Sequence, residues 1–429
     1  MATHTNTITR RRFLRGAGAA AALAPVAAAQ AALPPWMPKL TFVPARQTSL
    51  RGDVLVNIFL RGGADMLNVI VPHGEDAYYR ARPQLAIPRP DASGSDPKTI
   101  DLDGFFGVHP ALAALLPVFQ AGAISAIHAT GSPHETRSHF EAMDYMERGT
   151  PGDYGMSSGW IGRHLAAVQA ENASPVRAIG WGTAVQQSLR GVMSPVALQS
   201  IVDYHLGGDA AAAARMLESL SSLYALEGES LFASAEATRS AIAILAGVGY
   251  QNYRPQNGAE YPENEFAMAL RQTAALIRAQ VGLESACIDL GGWDTHVNQG
   301  TVQGTQARLL TQLAEGLAAF HADLGDEMRG VTVVVMSEFG RRVAENGGRG
   351  TDHGHGGAML VMNGSLAGTP VIANWVGLET DILDRGEDLP VTTDYRDVLA
   401  EILTLRLNTP NLSTVLPDFT PTRVGVFPL

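Results

Sequence analysis

Carboxylates and imidazoles recur beside glycine turns in this sequence. Asp65 lies in Arg61-Gly62-Gly63-Ala64-Asp65-Met66-Leu67-Asn68, and Asp294 and His296 lie in Gly291-Gly292-Trp293-Asp294-Thr295-His296. Glu338 lies in Ser337-Glu338-Phe339-Gly340-Arg341-Arg342, and Asp352, His353 and His355 in Thr351-Asp352-His353-Gly354-His355-Gly356-Gly357. Carboxylate oxygen and imidazole nitrogen are donors for a divalent cation, zinc first, with manganese or calcium as alternatives. Brought together, these residues would hold one or two such ions per chain. That centre would polarise an ester oxygen and deprotonate a nucleophile at neutral pH. Each residue also has a plainer use. Asp65 can cap its glycine turn, Glu338 can pair with Arg341 or Arg342, and the two loop histidines can be solvated.

The loop Gly131-Ser132-Pro133-His134-Glu135-Thr136-Arg137-Ser138-His139 offers a hydroxyl for the same chemistry, with a helix expected from Phe140. Ser138-His139-Phe140-Glu141 reads as a capping box, in which the hydroxyl accepts from helix amides and Glu141 reaches back. A hydroxyl at that position also faces amides that can bind an anion. Arg137 beside it could hold a phosphate or sulfate oxygen. We read Ser138 as the nucleophile rather than a plain cap, with Thr136 as the alternative. One of His128, His134 and His139 could assist, and the sequence does not select among them.

These loops need elements to hold them. Short apolar or β-branched runs at 53–60, 123–128, 285–290, 331–336 and 358–362 read as buried strands. Between them lie helical patterns such as 306–324, where Leu309, Leu310, Leu313, Leu317, Phe320 and Leu324 form one apolar stripe. Strand and helix alternating in this way predict an α/β domain over 51–429, a mostly parallel sheet with helices on both faces. Residues 208–282 show no strand pattern and read as a helical insertion, clearest at 210–226. In such a sheet, ligands sit beyond the carboxyl ends of the strands. The acidic and histidine-bearing loops fall at strand ends.

Composition narrows the partners. The chain has 429 residues, 46% hydrophobic and 17% charged, with a formal charge of −11. That is a globular composition with no electrostatic footprint for nucleic acid or an anionic bilayer. The single cysteine, Cys287, excludes an internal disulfide and a thiolate metal cluster. Thr9-Arg10-Arg11-Arg12-Phe13-Leu14-Arg15 matches a twin-arginine export signal, followed by a mild Ala- and Gly-rich run at 16–29. That run is too short to remain as a membrane span. We therefore expect residues 1–32 to be a cleaved signal peptide, with the translocase as a transient partner and the periplasm as destination. Residues 33–50, with four prolines, read as a linker.

Taken together, these motifs resemble the exported family called domain of unknown function 1501. The resemblance rests on the leader, Leu60 to Asn68, Arg137-Ser138-His139-Phe140-Glu141-Ala142, Gly292 to His296, Ser337 to Arg341, His109-Pro110, and Thr393-Asp394-Tyr395-Arg396-Asp397-Val398-Leu399. That family is placed beside sulfatases in the alkaline-phosphatase-like superfamily. The superfamily transfers or hydrolyses phosphate and sulfate esters with two metal ions and a Ser, Thr or Cys nucleophile. The resemblance implies that Asp65 matches the first-strand aspartate, Ser138 the nucleophile, and Asp294 with His296 the Asp-to-His pair. It implies His353 or His355 as the last histidine. Phe339 departs from the pattern, since it stands where a second metal would need a histidine, so that site loses a ligand unless Asp352-His353 supplies it. A formylglycine motif is also absent.

Two functions follow. One is an exported metal-dependent hydrolase acting on a small-molecule or glycan phosphate or sulfate ester. The other is a non-catalytic periplasmic binding or assembly protein on the same fold, because fold alone does not secure activity.

Overall fold

Runs that are apolar on both faces cannot sit at a water-facing sheet surface, so they pair centrally and take helices above and below. A computed structural model describes residues 52–168, 172, 174–192, 195–202, 204, 215–216, 218–219 and 229–428. The expected leader and linker lie outside the described residues, as does most of 210–226. The strands of the main sheet are β1 (Val54–Arg61), β2 (Ile124–Gly131), β3 (Ala178–Trp181), β4 (Val196–Leu198), β5 (Ser285–Gly291), β6 (Val331–Ser337), β7 (Gly357–Met362), β8 (Val371–Ala373) and β9 (Thr393–Asp394). They lie in the order β8-β2-β7-β6-β1-β5-β3-β4, with β9 also paired to β2.

The sheet is mostly parallel. β1 runs parallel to β5 and β6, β3 to β4 and β5, and β8 and β9 to β2. Only β7, between β2 and β6, is antiparallel to its neighbours. The five runs read from the sequence are strands within a few residues of their expected bounds. β3 and β4 were not anticipated, being only 4 and 3 residues long. A small antiparallel sheet of Ile70–Val71, Gly107–Val108 and Ile100–Asp101 stands apart.

Alternation along the central strands divides the core. Val54, Val56, Ile58 and Leu60 join one buried cluster, with Val331, Val333 and Val335 of β6. Leu55 and Phe59 join the other, with Val334 and Met336. The first cluster is covered by α4 (Glu265–Arg278) through Phe266 and Leu270 and by α5 (Thr305–Leu324) through Leu310, Leu313 and Leu317. The second is covered by α1 (His139–Arg148) through Met146, α2 (Trp160–Ala167) through Trp160 and Ile161, and α6 (Tyr395–Leu405) through Val398 and Ile402. Helices thus cover both faces, as expected. Within 208–282 the described residues contain α3 (Glu229–Gly247) and α4 and no strand.

Register sets where the loops emerge. Leu60 of β1 lies opposite Leu290 of β5 and Ser337 of β6, so the three following loops leave one edge together. Antiparallel β7 starts at that same edge, with Gly357 opposite Thr130 near the end of β2. The loop before β7 therefore meets the loops after β1, β2, β5 and β6.

Candidate metal centre

At this edge three histidines surround one carboxylate. His353 Nε2 lies 3.2 Å from Asp294 Oδ1, His296 Nε2 3.0 Å and His139 Nε2 3.4 Å. The ligand atoms of His139, Asp294 and His353 all lie within 4.8 Å of one another. His296 Nε2 is 2.9 Å from His353 Nε2. The loops approach closely because Gly62 has φ +123°, and a Cβ there would lie 2.5 Å from the Asp294 backbone nitrogen. An L side chain would be both strained and obstructed at that position.

The far nitrogen of each ring faces an acceptor. His353 Nδ1 lies 2.8 Å from the Arg137 carbonyl oxygen, which only accepts, so this nitrogen carries the hydrogen. His139 Nδ1 lies 2.8 Å from Glu338 Oε1, and His296 Nδ1 lies 3.2 Å from Asp352 Oδ1. In the neutral tautomer with the hydrogen on Nδ1, each ring donates to the acceptor behind it and turns an Nε2 lone pair toward Asp294. Histidines that ligate metals are oriented by this type of outer contact. His139 Nε2 is buried and has no hydrogen-bond partner. Two bare lone pairs 2.9 Å apart beside a carboxylate repel unless a proton or a cation lies near them.

Local charge favours an ionised carboxylate here. Partial burial would raise the Asp294 pKa, but the hydrogen bond and positive charge of Arg341 overcome it and hold the group at about 2. Burial pushes His353 below the ordinary imidazole value, favouring its neutral form. The hydrogen bond to Glu338 pushes His139 above it. Burial would raise Glu338, but His139 and the amides of Gly62 and Gly63 hold its carboxyl low. Arg341 is 1% exposed and anchors the group, donating to Asp294 Oδ1 at 2.7 Å, the Gly63 carbonyl at 2.5 Å and the Thr351 carbonyl at 2.8 Å.

The residues singled out in the sequence are thus distributed unevenly. Asp294, His296 and His353 meet, and His139 is the one of the three loop histidines that joins them. Asp352 stands behind His296, where Asn346 also donates to it at 2.9 Å. Glu338 stands behind His139 and accepts from the Gly62 amide at 2.8 Å, rather than pairing with Arg341 or Arg342. Asp65 is set apart: it is 1% exposed, and its Oδ2 accepts from Arg82 at 2.6 Å and Gln299 at 2.7 Å. His355 is also apart, between Asp384 Oδ2 at 2.8 Å and the Ser132 carbonyl at 2.9 Å. It lines a separate polar cavity of about 100 Å³ with Glu135, Arg137, Asp384, Arg385 and Asp388.

The hydroxyl loop also differs from expectation. Ser138 is the N-cap of α1, yet its side chain makes no capping hydrogen bond. Glu141 does not reach back to close the box, because it accepts from Thr136 Oγ1 and the Tyr154 hydroxyl, each at 2.7 Å. The Arg137 guanidinium does not stand free for an anion, being paired with Asp388 and lying 4.0 Å from Glu387. His128 is buried against the Ile70 carbonyl, and His134 packs on Tyr145. Sequence reasoning missed Arg341 as the partner of Asp294 and Gln299 altogether. Nothing in the spacing marks a lone glutamine as a buried connector.

Likeness to solved structures is slight. The crystal structure of Ps i-CgsB in complex with k-i-k-neocarrahexaose shares 10% identity over 87% of this chain and 75% of that one, with a TM-score of 0.37. Ps i-CgsB in a second structure gives 13% identity over 85% and 74%, with a TM-score of 0.36. The PH0037 protein from Pyrococcus horikoshii gives 11% over 73% and 86%, with a TM-score of 0.28. No curated protein matches the chain. A family described as "Protein of unknown function (DUF1501)" matches residues 53–409, which include every strand from β1 to β9 and all the residues of the centre, and the chain belongs to that family.

Proposed function

We propose that this chain is a metal-dependent hydrolase of phosphate or sulfate esters on an alkaline-phosphatase-like fold. A divalent cation, zinc first, would be held by His139, Asp294 and His353, with His296 adjoining. One observation carries the reading: three Nε2 atoms converge on a single carboxylate oxygen, and each ring has an acceptor behind it at Nδ1. A cation bound there lowers the pKa of a nearby hydroxyl and withdraws charge from an ester oxygen. Ser138 is our nucleophile. It lies between His139 and the Arg137 carbonyl that fixes His353, and its hydroxyl is not used to cap α1. The Thr136 hydroxyl, by contrast, donates to Glu141. Phe339 packs beside the His139 and His353 rings, at centroid distances of 5.0 and 4.8 Å, which favours one ion over two.

We further propose export by the twin-arginine route, from the motif at Arg10, Arg11 and Arg12. The test of the enzyme reading joins metal content, in protein purified without a histidine tag, to turnover of aryl phosphates and aryl sulfates. Near-stoichiometric metal and an activity abolished by Ser138→Ala, with metal retained, are expected. Full activity in Ser138→Ala would remove the nucleophile, and a wild type without metal would remove the centre. One observation favours binding without turnover. Arg137, the cation beside Ser138, is committed to Asp388 and is not free to hold an anionic substrate.

A further inference from the structure

Gln299 is fully buried, with 0% exposure, and all its side-chain hydrogen bonds run to loops of the centre or to Asp65. Its Oε1 accepts from Thr295 Oγ1 at 2.8 Å and from Thr351 Oγ1 at 3.0 Å. Its Nε2 donates to Asp65 Oδ2 at 2.7 Å. Thr295 separates Asp294 from His296, and Thr351 immediately precedes Asp352 and His353. One carboxamide therefore joins the loop that carries Asp294 to the loop that carries His353. It also moors both to the loop after β1, where Arg82 Nη1 holds the same Asp65 oxygen at 2.6 Å. Backbone contacts run alongside, with the Thr351 amide donating to the Thr295 carbonyl at 3.2 Å.

We propose that Gln299 is a positioning residue of the metal centre, setting the spacing of Asp294 and His353 from behind, and that Asp65 acts through it rather than as a ligand. The proposal rests on the metal reading given above. A buried carboxamide with both ends engaged has one orientation, because rotating it by half a turn would set its oxygen against the Asp65 carboxylate. It can therefore transmit position. Losing it leaves two buried threonine hydroxyls without their acceptor and Asp65 Oδ2 with Arg82 alone, and the two ligand loops lose their common anchor.

The test uses the full chain and two ions, zinc for affinity by chelator competition and cobalt for its coordination-sensitive visible spectrum. Gln299→Met keeps the volume and removes the hydrogen bonds. It is expected to weaken zinc binding roughly 10–100-fold, the range for residues that orient ligands, and to change the cobalt spectrum. Thr351→Val, nearly isosteric, releases one leg and should show a smaller change of the same kind even if Gln299→Met does not fold. The double variant Asp65→Asn with Gln299→Glu reverses the amide and carboxylate, and should recover most of the affinity. A purely structural role would lower the melting temperature of every single variant and leave the cobalt spectrum of the bound ion unchanged. That result, with wild-type zinc affinity in folded Gln299→Met or Thr351→Val, would overturn the proposal. A wild type that binds neither ion would overturn the metal reading itself, and this assignment would fall with it.

Discussion

The two ends of β1 each have a carboxylate, in opposite circumstances. Just before the strand, Asp53 accepts from Thr332 Oγ1 at 2.6 Å, Asn363 Nδ2 at 2.8 Å, and Arg406 Nε at 2.9 Å and Nη2 at 3.0 Å. Its side chain is 8% exposed, and its donors belong to β6, the turn after β7 and the residue that follows α6. Beyond the other end, Asp294 is 47% exposed and has one arginine donor, with the Nε2 atoms of three histidines gathered round the same oxygen. A carboxylate whose oxygens already have donors holds parts together. One that stands half-exposed among imidazoles is arranged for something that arrives. The same residue type therefore serves cohesion at the amino edge of the sheet and chemistry at the carboxyl edge.

The comparison can be broken at either end. The largest effect is expected at the open carboxylate. Asp294→Ala or His353→Ala should weaken zinc binding by more than about a hundredfold, since a ligand is lost outright, with little change in the far-ultraviolet dichroism. His321→Ala, on α5 away from the centre, should bind as the wild type does. Asp53→Ala should do the reverse. Removing a carboxylate from a partly exposed arginine and two buried donors costs about 2 kcal/mol, read as a lower urea midpoint, while zinc content stays at the wild-type level. Equal zinc loss in Asp53→Ala and His353→Ala would abolish the distinction.

Buried imidazoles sharpen it. Burial pushes His128 down to about 4, and does the same to His164. Both are neutral when folded but bind a proton near pH 6.5 once unfolded. Their contribution is thus complete above about pH 6.5 and lost as pH falls toward 4, at about 1.4 kcal/mol per pH unit for each. His128→Gln retains a donor for the Ile70 carbonyl and should flatten the fall of melting temperature across that window. An unchanged slope would show that His128 is not held neutral. The smallest effect is expected at Ser138. With no capping bond to lose, Ser138→Ala should shift stability by less than about 0.5 kcal/mol. A loss near the usual ~1 kcal/mol of an N-cap would restore the capping-box reading.

Much of this arrangement was legible in the residues. The long apolar runs gave the central strands because burial on both faces demands such runs, and the polar loop after each gave Asp294, His296 and His353. Short β3 and β4 carry too few residues to show a pattern. Asp65 shared the glycine-turn setting of Asp294, yet Arg82 reaches it from 17 residues away and closes it off. His139 could not be told from His128 and His134, because the choice depends on where α1 begins relative to Glu338. Ser138 and Glu141 matched the capping pattern in type and spacing, but Tyr154 and Thr136 compete for the same carboxylate.

The reversed strand β7 has a consequence for synthesis. Among the described residues, β2 pairs only with β7, β8 and β9, all of which come much later in the chain. During translation β2 therefore waits with both backbone edges bare, and β6 keeps one bare edge until residues 357–362 emerge. Bare edges recruit foreign strands, and slow non-local pairing prolongs the risk. A ribosome stalled before residue 357 would hold a sticky half-sheet, and any export machinery that accepts only folded cargo would have to wait for nearly the whole chain.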